Sequence, residues 1–124
     1  SIHAMIVHGE DGLDEISTTA STKVSHLKDG KIDTSIISAL DYGFELASLT
    51  DLKGGSPQEN AEIAKNILSG KDKGRKADIV IINAGLGIYI GGVVDSISEG
   101  ISMARDVVSS GSAMNTLQKL IAVK

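Results

Sequence analysis

Four carboxylates, Glu10, Asp11, Asp14 and Glu15, follow directly on the apolar run IHAMIVH at residues 2–8. Like charges crowded this closely repel one another, so the arrangement invites a positive partner. Hard cations such as Mg²⁺ take oxygen ligands, commonly one or two carboxylates with water and substrate phosphate completing the shell. The adjacent pair Asp14 and Glu15 suits that use, and a cation held there would neutralise charge on a phosphate or pyrophosphate group. The calcium-loop pattern does not align on EDGLDEIS, which excludes an EF-hand. The competing assignment is a solvated acidic turn in which Asp14 or Glu15 only caps a neighbouring segment. His8, beside Gly9, is open as a ligand, a phosphate contact or a satisfied core histidine. His3 and His26 read as structural or exposed.

Other motifs carry less. NAGLGIYIGG invites a dinucleotide reading, but G-x-G-x-x-G would need its third glycine at Ile90; Gly91 misses by one. Those glycines serve better for close packing of a helix on a sheet. There is no G-x-x-x-x-G-K-[ST] phosphate loop and no G-x-S-x-G nucleophile turn. The basic run KDKGRK at residues 71–76 could attract phosphate, although a charged run between elements is usually solvated surface.

The elements that must position the acidic pair follow from periodicity. Residues 2–8 predict a buried strand, too continuous in apolar character for a half-exposed edge and suited to a parallel strand covered on both faces. Gly9 and Gly12 break it into a loop. Residues 22–27 and 32–37 flank Asp29-Gly30, a hairpin signal. The stretch from Ser38 to Gly55 is irregular and turn-rich. A helix begins with Ser56 as N-cap, Pro57 at its first position and Glu59 completing a capping box, with Ala61, Ile63, Ala64, Ile67 and Leu68 as its stripe and Gly70 at its end. ADIVIINAG, at 77–85, predicts a second buried strand. Ser96 and Glu99 open another helix, with Ile97, Ile101, Ala104, Val107 and Val108 on one side, and Gly111 stops it. Ser112 can cap a last helix with Met114, Leu117, Leu120 and Ile121 inward. Strands alternating with helices make the class α/β, a fragment of a mostly parallel sheet with helices packed on it plus a β-hairpin.

Composition bounds the rest. The 124 residues suffice for at most one domain, with 41% hydrophobic and 23% charged residues and a net charge of -4. An acidic balance and 2% aromatic residues argue against a nucleic-acid binder. The absence of cysteine excludes disulfides and cysteine-ligated zinc. No apolar run reaches the roughly 20 residues of a membrane span, and no secretory leader is present, so a cytoplasmic location is expected. A core strand at the very start, without an initiator Met, suggests a piece of a larger protein.

VHGEDGLDEIS, then TKVSHLKDGKI, then DYGFELASLTDLKGGSPQENAEIAKNILSGKDKGRKADIVIINAG closely resemble the C-terminal part of the anthranilate phosphoribosyltransferases. The resemblance covers essentially all of this chain and about the last third of a family member, with V-H-G-x-x-G-[LM]-D-E and G-G-x-P-x-x-N-A as its more specific motifs. One departure is NAGLGIYIGG, where relatives tend to be alanine-rich. The resemblance implies a nucleoside phosphorylase/phosphoribosyltransferase-like C-terminal domain. It implies transfer of phosphoribose from phosphoribosyl pyrophosphate to anthranilate with release of pyrophosphate, in tryptophan biosynthesis, by a protein that is homodimeric when complete. It also implies that Asp14 and Glu15 bind Mg²⁺ and that His8 and Gly9 shape the site without acid–base work. Asn60 and Asn83 match asparagines of the family, and at mid-helix and strand-end places they read as structural hydrogen-bonders. The family's helical N-terminal domain and pyrophosphate-binding glycine loop precede the matched part, so the isolated chain is expected to be inactive. A pyrimidine nucleoside phosphorylase-like enzyme and a noncatalytic nucleic-acid-binding relative are the alternatives.

Overall fold

A computed structural model describes residues 2–123. Three strands come first: β1 (Ala4–Gly9), β2 (Thr22–Lys28) and β3 (Lys31–Ile37). They form one sheet in the order β1-β2-β3, antiparallel at both junctions. Asp29 and Gly30 carry φ of 52° and 75°, the left-handed pair that a two-residue primed turn requires. The hairpin thus forms as expected and the α/β class holds, but the pairing among the described residues is antiparallel, not parallel.

Alternation along the strands turns Met5, Val7 and Ile37 onto the core. The opposite face carries Ile6, Ile32 and Ile36, which are 76%, 70% and 56% exposed. β1 is therefore an edge strand covered on one face in this chain, where a strand covered on both faces was expected.

Two short 3₁₀ turns, Ala39–Tyr42 and Thr50–Leu52, span the irregular stretch and lead to the helices α1 (Pro57–Leu68), α2 (Arg75–Ile90), α3 (Ile97–Ser109) and α4 (Ser112–Ile121). Ser56 stays extended and its hydroxyl accepts the Glu59 N–H at 3.2 Å, with Pro57 as the first helical residue. The Glu59 carboxylate takes the Ser56 hydroxyl rather than a backbone N–H, so only half of the capping box forms. At α3, Ser96 caps Glu99 in the same way, while the Glu99 carboxylate accepts from the Asp95 N–H at 3.2 Å. Gly70 and Gly111 adopt φ of 76° and 86°, as expected of residues that end helices.

The clearest correction is residues 77–85. They belong to α2 and are not a strand. A helix that is apolar on most of its circumference loses its 3.6-residue signature, and a short apolar run cannot then be told from a buried strand by periodicity. Asn83, Gly85 and Gly87 read as turn residues that close a strand, yet all three lie inside the 16-residue helix from Arg75 to Ile90. β-branched residues lower helix propensity only slightly, and burial outweighs that preference. α4 is a second correction. Gly111, not Ser112, stands at its N-cap, and Leu120 and Ile121 are 69% and 65% exposed, not inward.

The core cluster joins Ile16, Ala39, Phe44, Ile82, Leu86 and Ile101, so one side of α2 bridges the sheet, the first loop and α3. α2 and α3 cross where Gly85 meets Gly100. A Cβ on Gly100 would lie 2.2 Å from the Gly85 carbonyl oxygen, and one on Gly85 would lie 2.6 Å from the Ile101 backbone nitrogen.

Candidate functional site

The acidic loop joins β1 to β2, and backbone bonds close it at its root. Gly9 pairs with Thr22 at the end of the ladder, and the Glu10 N–H donates to the Ser21 carbonyl at 2.9 Å. Within the loop the Gly9 N–H donates to the Leu13 carbonyl and the Gly12 N–H to the Gly9 carbonyl, both at 2.9 Å. Gly9 is buried in this tight turn. A Cβ there would lie 2.5 Å from Asp11 Oδ1, 3.1 Å from Ser17 Cβ and 3.3 Å from the Leu13 carbonyl oxygen.

The four carboxylates divide into different roles. Asp11 folds back into the loop, where it accepts the hydroxyls of Ser17 and Thr19 and the Leu13 N–H at 3.1 Å. Burial pushes its carboxyl pKa up, but these hydrogen bonds to the charged form outweigh that and hold it below the ordinary value. Ser17 relays the order onward: its Oγ accepts the N–H groups of Thr19 and Ala20, and its own N–H donates to Thr22 Oγ1. Ser17, Thr18 and Thr22 are all fully buried.

Ile16 ties the loop to the body of the molecule. Its side chain is fully buried in the core cluster. Its backbone is gripped from α2 by Asn83, whose Oδ1 accepts the Ile16 N–H at 2.8 Å while Nδ2 donates to the Ile16 carbonyl at 2.9 Å. Nδ2 also donates to the Ile79 carbonyl one turn back, which fixes the amide on its own helix. Asn83 is structural, as expected, although it stands in a helix and not at a strand end. Asn60 is structural too, bonding both the N–H and the carbonyl of Gly55 ahead of α1.

Asp14 and Glu15 are exposed, held between the Leu13 and Ile16 anchors. Glu10 is exposed as well. Among the described residues no group of three or more metal-ligating side chains converges. The loop thus offers exposed carboxylates, with the His8 imidazole just before it in β1, and carboxylate oxygens suit a hard cation whose remaining positions go to water and phosphate. His8 is exposed at the last step of β1, opposite Lys23, so the core-histidine reading does not apply. His3 and His26 are half-buried and bonded to each other. The sequence reading missed Asp11 as the organiser of the loop and Ile16 as its anchor. The available signal was an Asp-Gly turn followed by hydroxyl residues in STTAST, a combination that favours side chain to backbone bonding.

Comparison with known proteins bears on this geometry. The family model described as glycosyl transferase family, a/b domain, matches residues 1–114. A Thermoanaerobacter anthranilate phosphoribosyltransferase is 48% identical over 118 residues, 95% of this chain and 35% of that protein. The crystal structure of the Thermus thermophilus anthranilate phosphoribosyltransferase superposes with a TM-score of 0.87 at 37% identity, covering 97% of this chain and 35% of that one. The Saccharomyces cerevisiae enzyme, solved in complex with phosphoribosyl pyrophosphate and Mg, gives 0.82 at 29% identity over 94% of this chain and 33% of that one. This chain therefore spans about a third of the length of the curated relatives it matches.

Proposed function

Because the chain belongs to the glycosyl transferase family defined by this a/b domain, we propose that it is the carboxylate-bearing part of an anthranilate phosphoribosyltransferase. In the whole protein, phosphoribose passes from phosphoribosyl pyrophosphate to the amine of anthranilate. The C1–O bond to pyrophosphate breaks as the C1–N bond forms, a step of tryptophan biosynthesis. The observation that carries this reading is the adjacent, exposed Asp14 and Glu15 on a loop fixed at both ends, by Asp11 and by the Asn83 grip on Ile16.

Asp14 and Glu15 would hold Mg²⁺ through their carboxylate oxygens, and the ion would supply positive charge opposite the departing pyrophosphate. The loop anchors keep the two carboxylates oriented before substrate arrives, which avoids reorganisation during the reaction. Gly9 supplies the room for the turn, and His8 borders the site without taking part in proton transfer. The protein is a cytoplasmic homodimer when complete. The isolated 124-residue chain, about a third of the length of its relatives, lacks half of the substrate cradle and does not turn over.

The test is loss of anthranilate fluorescence with phosphoribosyl pyrophosphate and Mg²⁺. It uses the full protein that carries this chain, beside its Asp14→Asn, Glu15→Gln double variant. The wild type is expected to consume anthranilate in a Mg²⁺-dependent manner, and the double variant to lose at least about 100-fold in rate. Flat fluorescence in the wild type, with phosphorolysis of a pyrimidine nucleoside instead, overturns the assignment. Turnover by the isolated, monomeric chain overturns the division of labour.

A further inference from the structure

At the end of β1 remote from the acidic loop, two imidazoles meet. His3 Nε2 and His26 Nε2 lie 2.7 Å apart, with ring centroids 4.9 Å apart. His26 is opposite Met5 in the β1–β2 register, so the pair bridges neighbouring strands on the sheet face that looks toward the helices. Tyr89 of α2 walls the pair, its ring centroid 5.0 Å from that of His3 and 5.9 Å from that of His26. Beside them a cavity of about 410 Å³ is lined by His26, Tyr89, Ser35 and Asp95 among others.

We propose that His3 and His26 form a binding site for a borderline divalent transition cation of the Zn²⁺, Ni²⁺ and Cu²⁺ class, with water in the remaining positions. Imidazole nitrogen is the preferred protein donor for such ions, at about 2.0–2.1 Å. Two nitrogens on one ion then stand about 2.9 Å apart at a right angle and about 3.3 Å apart at a tetrahedral angle. The 2.7 Å separation in the chain is that of a hydrogen bond, so the rings must part by about 0.2–0.6 Å to take the ion. Either ring can donate in that contact. Binding requires both neutral rings as the Nδ1–H tautomer, so the donating ring shifts its proton from Nε2 to Nδ1 through solvent and the ion takes the vacated position.

Asp33 stands opposite His26 in the β2–β3 register and places a carboxylate on the same sheet face, against the charge of Lys28. Asp95 adds a carboxylate to the cavity lining. Lys28 Nζ lies 6.0 Å from the Tyr89 ring centroid. This site is separate from the carboxylate loop and selects by donor type: nitrogen here, oxygen there.

The test is calorimetric titration of the chelator-stripped protein with ZnCl₂, NiCl₂ and MgCl₂, in the wild type and in the His3→Gln, His26→Gln and His8→Gln variants. Zn²⁺ and Ni²⁺ are expected to bind the wild type and His8→Gln at one site involving these rings, and at least about tenfold more weakly in His3→Gln and in His26→Gln. Should either variant fail to fold by circular dichroism, the Cu²⁺ complex of the wild type is read by electron paramagnetic resonance, where two imidazole nitrogens are expected. Equal Zn²⁺ affinity in all four proteins, or a copper spectrum with oxygen ligands only, overturns the proposal.

Discussion

Asp11 shows how one side chain decides what its neighbours are free to do. Its carboxylate takes two hydroxyls and a backbone N–H within the loop, and that leaves Asp14 and Glu15 to face solvent. Its pKa is depressed in the folded chain, so its contribution to stability is complete above the unfolded value and is lost as pH falls through the folded one. Thermal denaturation of the wild type is therefore expected to drop below about pH 4, and in Asp11→Asn that drop is expected to flatten. The same variant is expected to be less stable at pH 7 by about 1 kcal/mol, because the amide is a weaker acceptor for the Ser17 and Thr19 hydroxyls. An acid limb unchanged by the substitution would show that Asp11 does not order the loop. Asn83 works from the other side. With its amide removed, the N–H and carbonyl of a residue with a fully buried side chain lose their partner together.

Among the elements, the α2–α3 crossing carries the tightest constraint. Gly85 and Gly100 bring the two backbones so close that neither position has room for a methyl group. The obstructing atoms are backbone, which cannot rotate away, so a Cβ must push the helices apart. Gly100→Ala is expected to cost about 1–3 kcal/mol in chemical denaturation despite the better helix propensity of alanine. A neutral or stabilising result would mean that the crossing is looser than its geometry indicates. The crossing also holds Ile82 and Leu86 of α2 against Ile16, which links the helix pair to the acidic loop. Of the glycines in NAGLGIYIGG, Gly85 serves close packing, helix against helix where helix on sheet was expected, whereas Gly87 and Gly92 meet nothing within 4 Å.

Across the full chain, apolar surface is unevenly distributed. Ile6, Ile32 and Ile36 share the outer sheet face, and Leu120, Ile121 and Val123 lie exposed at the end of α4. An apolar sheet face with an unpaired edge at β1 is a template for association. The isolated chain is expected to self-associate in sedimentation velocity as concentration rises, and Ile6→Lys with Ile32→Lys to suppress it. A monomer at all concentrations in the unmodified chain would sink that expectation. Among the described residues no helix is long and apolar enough to cross a membrane.

Local chemistry was legible in the sequence wherever the controlling interactions are close along the chain. Asp29-Gly30 set its turn through backbone sterics, Ser56-Pro57 and Ser96 started their helices through short-range capping, and Gly70 and Gly111 ended theirs through φ. The adjacency of Asp14 and Glu15 was visible for the same reason. What lay beyond reach depends on partners far away in the chain. Residues 77–85 became helix because one side of α2 packs on α3, the first loop and the sheet while the run stays apolar around the rest, which erases the periodic signature that would have announced it. The separation of Asp11 from the free pair, the grip of Asn83 on Ile16 and the meeting of His3 with His26 all join segments that only folding brings together. Propensity acts over a few residues; burial and hydrogen-bond satisfaction act over the folded volume, and at these positions the second prevailed.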